Sequence, residues 1–273
     1  MISSDGLRKF VNSSRVVFSS KDSSVRTVYI SELARNGSDD ALETYISDKA
    51  PLFYRDPQRI ANTLGSGYFL TAVRETLLRI PSSDRFKQSH FGEITSTIFA
   101  EEVMGLRKVY SKLTQLTAEN SNAYKMDAVL YDPNSEPLEF ILGEVKSSPK
   151  TAAEGFPAKH DKSCFSSIFT SLRNYTRDDL KFDLAAAKDH VNTLPEAERE
   201  KVRKALLPYA TRKISYAAFA VIDVSTRHDD EISLLATRRN DKDFDVDLVC
   251  VEGFPQVAQA VYGRLEKVRA ASS

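Results

Sequence analysis

KMDAVLYDPNSEPLEFILGEVKSS, residues 125–148, contains two apolar runs that are separated by the turn-rich segment PNSEP. Short runs rich in β-branched, aromatic and aliphatic residues on either side of such a segment predict two strands joined as a hairpin. Near the turn, successive residues of both runs are apolar, as in strands that are covered on both faces. We therefore expect this hairpin to be buried on both sides.

The parity of the strand pairing determines which side chains of the hairpin share a face. If the turn is even-numbered, Asp127 on the first strand faces the same side as Glu144 and Lys146 on the second. Asp127 and Glu144 then lie directly opposite each other or one diagonal step apart, within reach of a common ion. An odd turn length or a β-bulge would separate them.

A pair of carboxylates and a lysine at the end of a buried strand has a specific chemical use. Two crowded carboxylates repel, and one takes up a proton unless a cation neutralises them. Mg²⁺, or Mn²⁺ in its place, accepts oxygen ligands, lowers the pKa of bound water and stabilises charge on a phosphate that is being cleaved. Lys146 could orient the attacking water. Taken alone, Glu-x-Lys also fits a solvated ion pair at a strand end, and that interpretation stays open.

A helix is predicted immediately before the hairpin, from HFGEITSTIFAEEVMGL, residues 90–106. Its Glu93 has two interpretations: it complements the helix dipole, or it lies against the charged end of the hairpin. Gly92 would permit close approach of the two backbones. His90 fits a helix cap better than a catalytic role.

The rest of the chain predicts a mixed α/β fold. Further strands are expected at SRVVFSS (14–20), VRTVYIS (25–31), SYAAFAVIDV (215–224) and VDLVCVE (246–252). Helices are expected at 161–191, as one long helix or a pair, at 196–207 and at 255–268. PSSD, residues 81–84, is a strong breaker of regular structure and the best candidate for a domain boundary.

Composition excludes several classes of protein. Lys and Arg total 38, as do Asp and Glu, so no strong overall field draws the chain to nucleic acid or anionic lipid. Two widely separated cysteines indicate neither a disulfide framework nor a zinc cluster. No apolar signal region begins the chain, and no stretch approaches the roughly 18 apolar residues of a membrane span. A cytoplasmic protein without a membrane partner is expected.

The order of Glu93, Asp127 and Glu144-Val145-Lys146 resembles the PD-(D/E)xK nuclease superfamily, with Met126 in the position of the proline. Within it, the chain is similar to HamA, the nuclease subunit of the Hachiman anti-phage defence system. The resemblance implies a mixed central sheet flanked by helices, a PD-(D/E)xK nuclease-like core with an N-terminal extension. It also implies that Asp127 and Glu144 hold Mg²⁺, that Lys146 assists the water, and that Glu93 contributes to the metal site directly or through water.

The function expected from this resemblance is a Mg²⁺-dependent deoxyribonuclease, an endonuclease or nickase, that serves as a defence effector. A helicase subunit, HamB, would be its partner and control access to DNA. Residues 86–273 would form the nuclease-like domain, and residues 1–85 an α/β extension that could dock the partner. The alternative is a catalytically inactive nuclease-fold subunit that regulates by binding a partner. A restriction-type enzyme is disfavoured, because no DNA-reading module is recognisable.

Overall fold

The structure is a computed structural model, and it describes residues 6–35, 40–55, 60, 65, 75–115, 126–148, 164–227 and 239–271. The strands are β1 (Val11–Ser19), β2 (Val25–Leu33), β3 (Arg107–Ser111), β4 (Ala128–Asp132), β5 (Glu139–Ser148), β6 (Lys213–Asp223) and β7 (Phe244–Val251). The α-helices are α1 (Ala41–Lys49), α2 (Pro51–Tyr54), α3 (Asp84–Glu102), α4 (Cys164–Asn174), α5 (Arg177–His190), α6 (Glu196–Ala205) and α7 (Phe254–Ala271).

The strands form one mixed seven-stranded sheet in the order β1-β2-β7-β6-β5-β4-β3. The four central strands β2, β7, β6 and β5 are mutually parallel, and antiparallel pairs extend the sheet at both edges. Helices cover both faces of the sheet, as buried parallel strands require. The expected mixed sheet flanked by helices is confirmed.

The register of the β4–β5 hairpin is the one expected from an even-numbered turn. Ala128 pairs with Gly143, and the pairing continues without a bulge to Asp132 and Glu139, so residues 133–138 form a loop of six residues. Continued by one residue beyond Ala128, this register brings Asp127 level with Glu144. The observed strand pairing is therefore the one that the predicted proximity of these two carboxylates requires.

Two apolar layers fix the position of the hairpin. Val129, Phe140 and Leu142 pack in the core beneath α4, α5 and α6. The alternate residues of the hairpin, such as Leu130 and Val145, pack in the core beneath α1, α2, α3 and α7. Complete burial of each such side chain contributes about 1.5–3 kcal/mol to folding. The charged end of β5 is thus held by strands that are anchored on both faces.

The N-terminal strands belong to the same sheet as the hairpin, because β2 pairs in parallel with β7 from Val25 to Leu33. The predicted breaker at residues 81–84 coincides with the start of α3, whose first residue is Asp84. The division into residues 1–85 and 86–273 stays a prediction.

The segment 161–191 was expected to form one long helix or a pair of helices. It contains a pair, α4 and α5, and Thr176 caps the start of α5 through a capping box with Asp179.

None of the helices within the described ranges is both long enough and apolar enough to cross a lipid bilayer.

Candidate active site

Asp127 lies just before β4 and is tied to the neighbouring strand by its backbone and its side chain. Its N–H donates to the carbonyl of Gly143 at 3.0 Å, and its Oδ2 atom accepts from the N–H of Val145 at 2.7 Å. The residue is only 5% exposed. The preceding residue, Met126, is also fixed, because its N–H donates to the buried carboxylate of Asp183 in α5. The Asp127 carboxylate is therefore held at one place at the end of the hairpin.

Glu144 and Lys146 lie on β5 and are paired with each other. The Lys146 Nζ atom donates to Glu144 Oε1 at 2.5 Å, and the hydroxyl of Ser171 in α4 also hydrogen-bonds Glu144. Burial raises the pKa of Glu144 to about 7, and the charge of Asp127 is the second cause. Burial lowers the pKa of Lys146, but the charges of Glu144 and Asp127 outweigh it and raise that pKa. The two carboxylates repel each other, as expected from the sequence.

Lys112 is a further cation of the site that the sequence analysis missed. It follows β3, and its Nζ atom donates to Asp127 Oδ1 at 3.0 Å. Burial lowers its pKa, but the charges of Asp127 and Glu93 raise it well above the ordinary value. The signal for β3 was the segment RKVYS, residues 107–111, in which Val109 and Tyr110 lie between polar residues. A strand of five residues is too short for this pattern to predict its pairing with β4.

Glu93 projects from α3 into a cavity of about 380 Å³ that Asp127, Lys112 and Lys146 also line. Its Oε1 atom has one long contact, 3.5 Å from the hydroxyl of Ser89, and its buried Oε2 atom has no hydrogen-bond partner among the described residues. Burial raises the pKa of Glu93 to about 8, and the charge of Asp127 adds to this. An unpartnered buried carboxylate oxygen is unfavourable unless a ligand meets it.

The close approach of α3 to β5 depends on Gly92, as expected. A Cβ atom at this position would lie 2.6 Å from Cβ and 2.8 Å from Oγ of Ser147. Both distances are shorter than side chains tolerate, so only glycine fits here. The absence of a side chain at residue 92 therefore lets residue 93 reach the charged end of the hairpin.

The HamA family model matches residues 7–253, which is nearly the whole chain. The chain belongs to the HamA family. HamA is a component of the Hachiman anti-phage defence system. Comparison with curated proteins finds no significant match. The match extends from the residues before β1 to the end of β7, so the HamA family includes the N-terminal strands, which the resemblance to a nuclease core did not cover.

The sequence-predicted residues of this HamA-family chain are brought to one end of the hairpin, but they do not all line one cavity. Glu93, Asp127 and Lys146 line the cavity beside α3. Glu144 contacts α4 through Ser171 instead, and Lys146 connects the two places because it lines the cavity and also binds Glu144. The site is thus centred on Asp127 and Lys146, with one glutamate on each side.

The donor set can be compared with the needs of a divalent cation. As they stand, the described side chains include no group of three or more His, Cys, Asp or Glu residues that could hold a metal ion. Mg²⁺ commonly uses one or two carboxylates, and waters and substrate phosphates complete its ligands. Asp127 and Glu144 supply two, and Glu93 Oε2 can accept from a bound water. Burial raises the pKa values of Glu93 and Glu144, so their ionised forms are disfavoured without a cation nearby, and the residues fit a divalent ion that neutralises them.

We expect Gly92→Ala to lower the free energy of unfolding by about 1–3 kcal/mol, because the added methyl group forces α3 away from Ser147. Urea denaturation measures the change. The matched control is Gly263→Ala in α7, where a Cβ atom meets nothing within 4 Å. That change should stabilise the chain by about 0.5–1 kcal/mol, through helix propensity alone. Equal effects of the two substitutions would contradict the close approach of α3 and β5.

We expect Glu93→Gln to flatten the pH dependence of stability in metal-free protein. The folded pKa of Glu93, about 8, lies above its ordinary value of 4.5, so the folded state holds a proton that the unfolded state has released between these pH values. The parent therefore loses stability as pH rises from 4.5 to 8, and the neutral amide does not. The free energy of unfolding of the variant minus that of the parent, measured in EDTA, should therefore be larger at pH 9 than at pH 4.5 by at least about 1.4 kcal/mol, which corresponds to one pKa unit.

Urea denaturation at several pH values tests this expectation. Glu196→Gln, on the exposed first turn of α6, is the control and should follow the parent. If the free energy of unfolding of Glu93→Gln depended on pH in the same way as that of the parent, the pKa of Glu93 would not be raised in the folded protein.

Proposed function

We propose that this HamA-family chain hydrolyses the phosphodiester bonds of DNA with Mg²⁺, or with Mn²⁺ in its place, as an endonuclease or nickase. The observation that carries the proposal is that two buried carboxyl groups, Asp127 and Glu144, lie beside Lys146 at the end of the β4–β5 hairpin. Desolvated carboxylates with raised pKa values, held beside lysines at a cavity, are common at catalytic sites. A structural ion pair would need neither the second carboxylate nor the unpartnered Glu93.

Asp127 and Glu144 would hold the metal ion, and Glu93 would support it through water. The bound ion would lower the pKa of water and neutralise charge on the scissile phosphate. The protein's own residues would orient these carboxylates. Asp127 is aligned by the N–H of Val145 and by Lys112, and these two contacts keep its carboxylate oriented without rearrangement. Such preorganisation is a large part of catalysis by charged groups.

Lys146 is the residue best placed to act on the attacking water and on the developing phosphate charge. It donates to Glu144, and it lines the same cavity as Asp127 and Glu93, where a substrate phosphate would bind. Its raised pKa keeps it protonated at neutral pH. Lys146 is therefore a donor that positions water and stabilises negative charge, and the base that accepts the proton is a different group.

We also propose that the chain works in a complex with the helicase subunit HamB, with residues 1–85 as the docking region. The support is membership of a defence-system family together with a net charge of zero, since non-specific affinity for DNA comes from cations that neutralise phosphates. A helicase that delivers DNA would supply that affinity. Co-expression with the neighbouring helicase and size-exclusion chromatography test the complex. Separate elution, with full protection from phage by this subunit alone, would refute it.

Incubation of the purified chain with supercoiled plasmid tests the nuclease, with and without the helicase, in Mg²⁺ and in EDTA. Conversion to open-circular or linear DNA that needs Mg²⁺ and is lost in Lys146→Met is the expected result. If the complex forms and protects cells while neither preparation cleaves DNA, the chain is an inactive nuclease-fold subunit that regulates its partner. A parallel incubation with RNA of matched sequence tests the substrate class.

A further inference from the structure

His90, which the sequence analysis interpreted as a helix cap, is a buried residue of the cavity wall. It precedes Glu93 by three residues on α3, so the two side chains lie on one face of the helix. Both line the same cavity as Asp127 and Lys112. His90 is only 5% exposed. The proposed function leaves this histidine without a role.

Two tyrosines extend a hydrogen-bond network from the Nδ1 atom of His90. The hydroxyl of Tyr54, in α2, lies 3.1 Å from His90 Nδ1, and the hydroxyl of Tyr262, in α7, lies 2.7 Å from that of Tyr54. Both tyrosines are fully buried. Because Nδ1 is occupied by Tyr54, Nε2 is the ring nitrogen that remains for the cavity.

The direction of the hydrogen bonds in this network determines the tautomer of His90. If Nδ1–H donated to Tyr54, the two tyrosine hydroxyls would have only the hydrogen bond between them, so one of their two buried hydrogens would have no acceptor among the described residues. A buried donor without a partner carries its full desolvation penalty. In the opposite direction, Tyr262 donates to Tyr54 and Tyr54 donates to Nδ1, so both hydroxyl hydrogens have an acceptor. The ring then carries its proton on Nε2.

The surroundings of His90 favour the neutral ring. Burial lowers the pKa of His90 to about 4, the positive charge of Lys112 lowers it further, and the negative charge of Asp127 opposes them. A neutral ring that is protonated on Nε2 has no lone pair there, so it is a hydrogen-bond donor to the cavity and cannot be a metal ligand through that atom. The charged groups that line this cavity are the cations Arg85, Lys112 and Lys146 and the carboxyl groups of Asp127 and Glu93.

We propose that His90 donates a hydrogen bond from Nε2–H to a non-bridging phosphate oxygen of the nucleic-acid backbone, and that Tyr54 and Tyr262 set the tautomer that makes this possible. The ligand class is a phosphate or phosphodiester anion. A neutral donor suits this position, because it binds a phosphate oxygen without repelling Lys112 or a bound cation. This inference deepens the proposed function and rests on it for the identity of the substrate, but the donor itself is measurable in protein that cleaves nothing.

Long-range ¹H–¹⁵N correlation spectra of metal-free protein with ¹⁵N-labelled histidine test the tautomer directly. The chain has four histidines, and His90→Gln assigns the signal. The expected result at pH 7 is a neutral ring protonated on Nε2, and a mixture of tautomers in Tyr54→Phe, which keeps the ring of Tyr54 but removes its hydroxyl. A ring protonated on Nδ1, or on both nitrogens, would overturn the proposal.

Titration of the same sample with inorganic phosphate, against chloride at equal ionic strength, tests the anion. We expect a saturable shift of the His90 signals with phosphate alone, and its absence would refute the binding role. On DNA, His90→Leu should lower kcat/KM by about tenfold or more through KM, with unchanged affinity for Mg²⁺, while His90→Gln, which keeps an N–H donor, should recover most of the loss. Equal losses in both variants would assign His90 a structural role. Absence of cleavage by the parent would refute the nuclease and leave the two spectroscopic results standing.

Discussion

Glu144→Gln should reduce Mg²⁺-dependent DNA cleavage by at least about a thousandfold, equivalent to about 4 kcal/mol of lost transition-state stabilisation. The substitution keeps the size of the side chain but removes one of two carboxylate charges proposed to hold the metal ion. It also removes the charge that pairs with Lys146 at 2.5 Å, so the lysine loses its fixed position. Loss of a metal ligand and of a positioned donor at the same time explains why the expected effect is large.

Stability distinguishes a catalytic from a structural role of Glu144. Burial and the charge of Asp127 raise the pKa of Glu144 to about 7, so its ionised form is disfavoured in the folded metal-free protein. A neutral amide relieves this repulsion, and Glu144→Gln should therefore unfold in EDTA at pH 8 at the same or a higher urea concentration than the parent. Mg²⁺ should protect the parent from urea more than it protects the variant.

The matched control is Glu139→Gln, at the opposite end of the same strand, where the carboxylate accepts from the hydroxyl of Ser215. This variant should cleave plasmid at the rate of the parent. If Glu144→Gln, purified and folded, cleaved DNA as fast as the control, Glu144 would have no part in the reaction. If it failed to fold, the carboxylate would be a structural ion-pair partner instead.

The hairpin register could be predicted from sequence because it depends on local features alone. Parity follows from an even loop between two apolar runs, and the chain carries that information within residues 125–148. The order of the strands depends on distant residues instead. Leu33 pairs with Val251, more than two hundred residues later, and no local pattern specifies this partner. Periodicity therefore predicts the register of two strands joined by a short loop, but not which distant strands become neighbours in the sheet.

The sequence indicated the residues of the candidate site only in part, for the same reason. Glu93, Asp127, Glu144 and Lys146 lie within one continuous region that includes α3 and the hairpin, so their spacing was informative. His90 lies in that region too, but its meaning comes from Tyr54 and Tyr262, which are distant in sequence on either side. Without these contacts, a histidine near a helix start resembles a cap. The role proposed for His90 depends on its contacts with these two tyrosines, and the sequence does not show those contacts.

Lys112→Met should destabilise the metal-free protein by about 3–5 kcal/mol at pH 8, because breaking a buried ion pair on one side leaves an uncompensated charge. Lys112 donates to Asp127, and the side chains of the two residues are 15% and 6% exposed. Methionine fills similar volume without the charge. The carboxyl groups of Asp127 and Glu93 would then lie together with one nearby lysine fewer, so the variant's loss of stability should grow as pH rises and Glu93 ionises.

Three further measurements make this expectation specific to the charge pair. Lys181→Met removes a lysine from an exposed pair with Asp178 and should change stability by at most about 1 kcal/mol. Combining Lys112→Met with Asp127→Asn should restore much of the stability, because the buried charge disappears together with its partner. A Mg²⁺ concentration of about 100 times Kd should return about 2.7 kcal/mol to Lys112→Met if the folded state alone binds the ion.

Measuring Lys112→Met with and without excess Mg²⁺ distinguishes two possible roles of Lys112. If Lys112 serves only to balance Asp127 in the absence of metal, excess Mg²⁺ should restore both the stability and the cleavage rate of Lys112→Met. If Lys112 also orients Asp127, Mg²⁺ should restore stability while cleavage stays low, because the carboxylate keeps its contact with the N–H of Val145 but loses the other one. A variant as stable as the parent in EDTA at pH 8 would contradict both roles. The preorganisation proposed for Asp127 predicts the second result, since a mobile carboxylate can still bind a cation but presents it in many orientations.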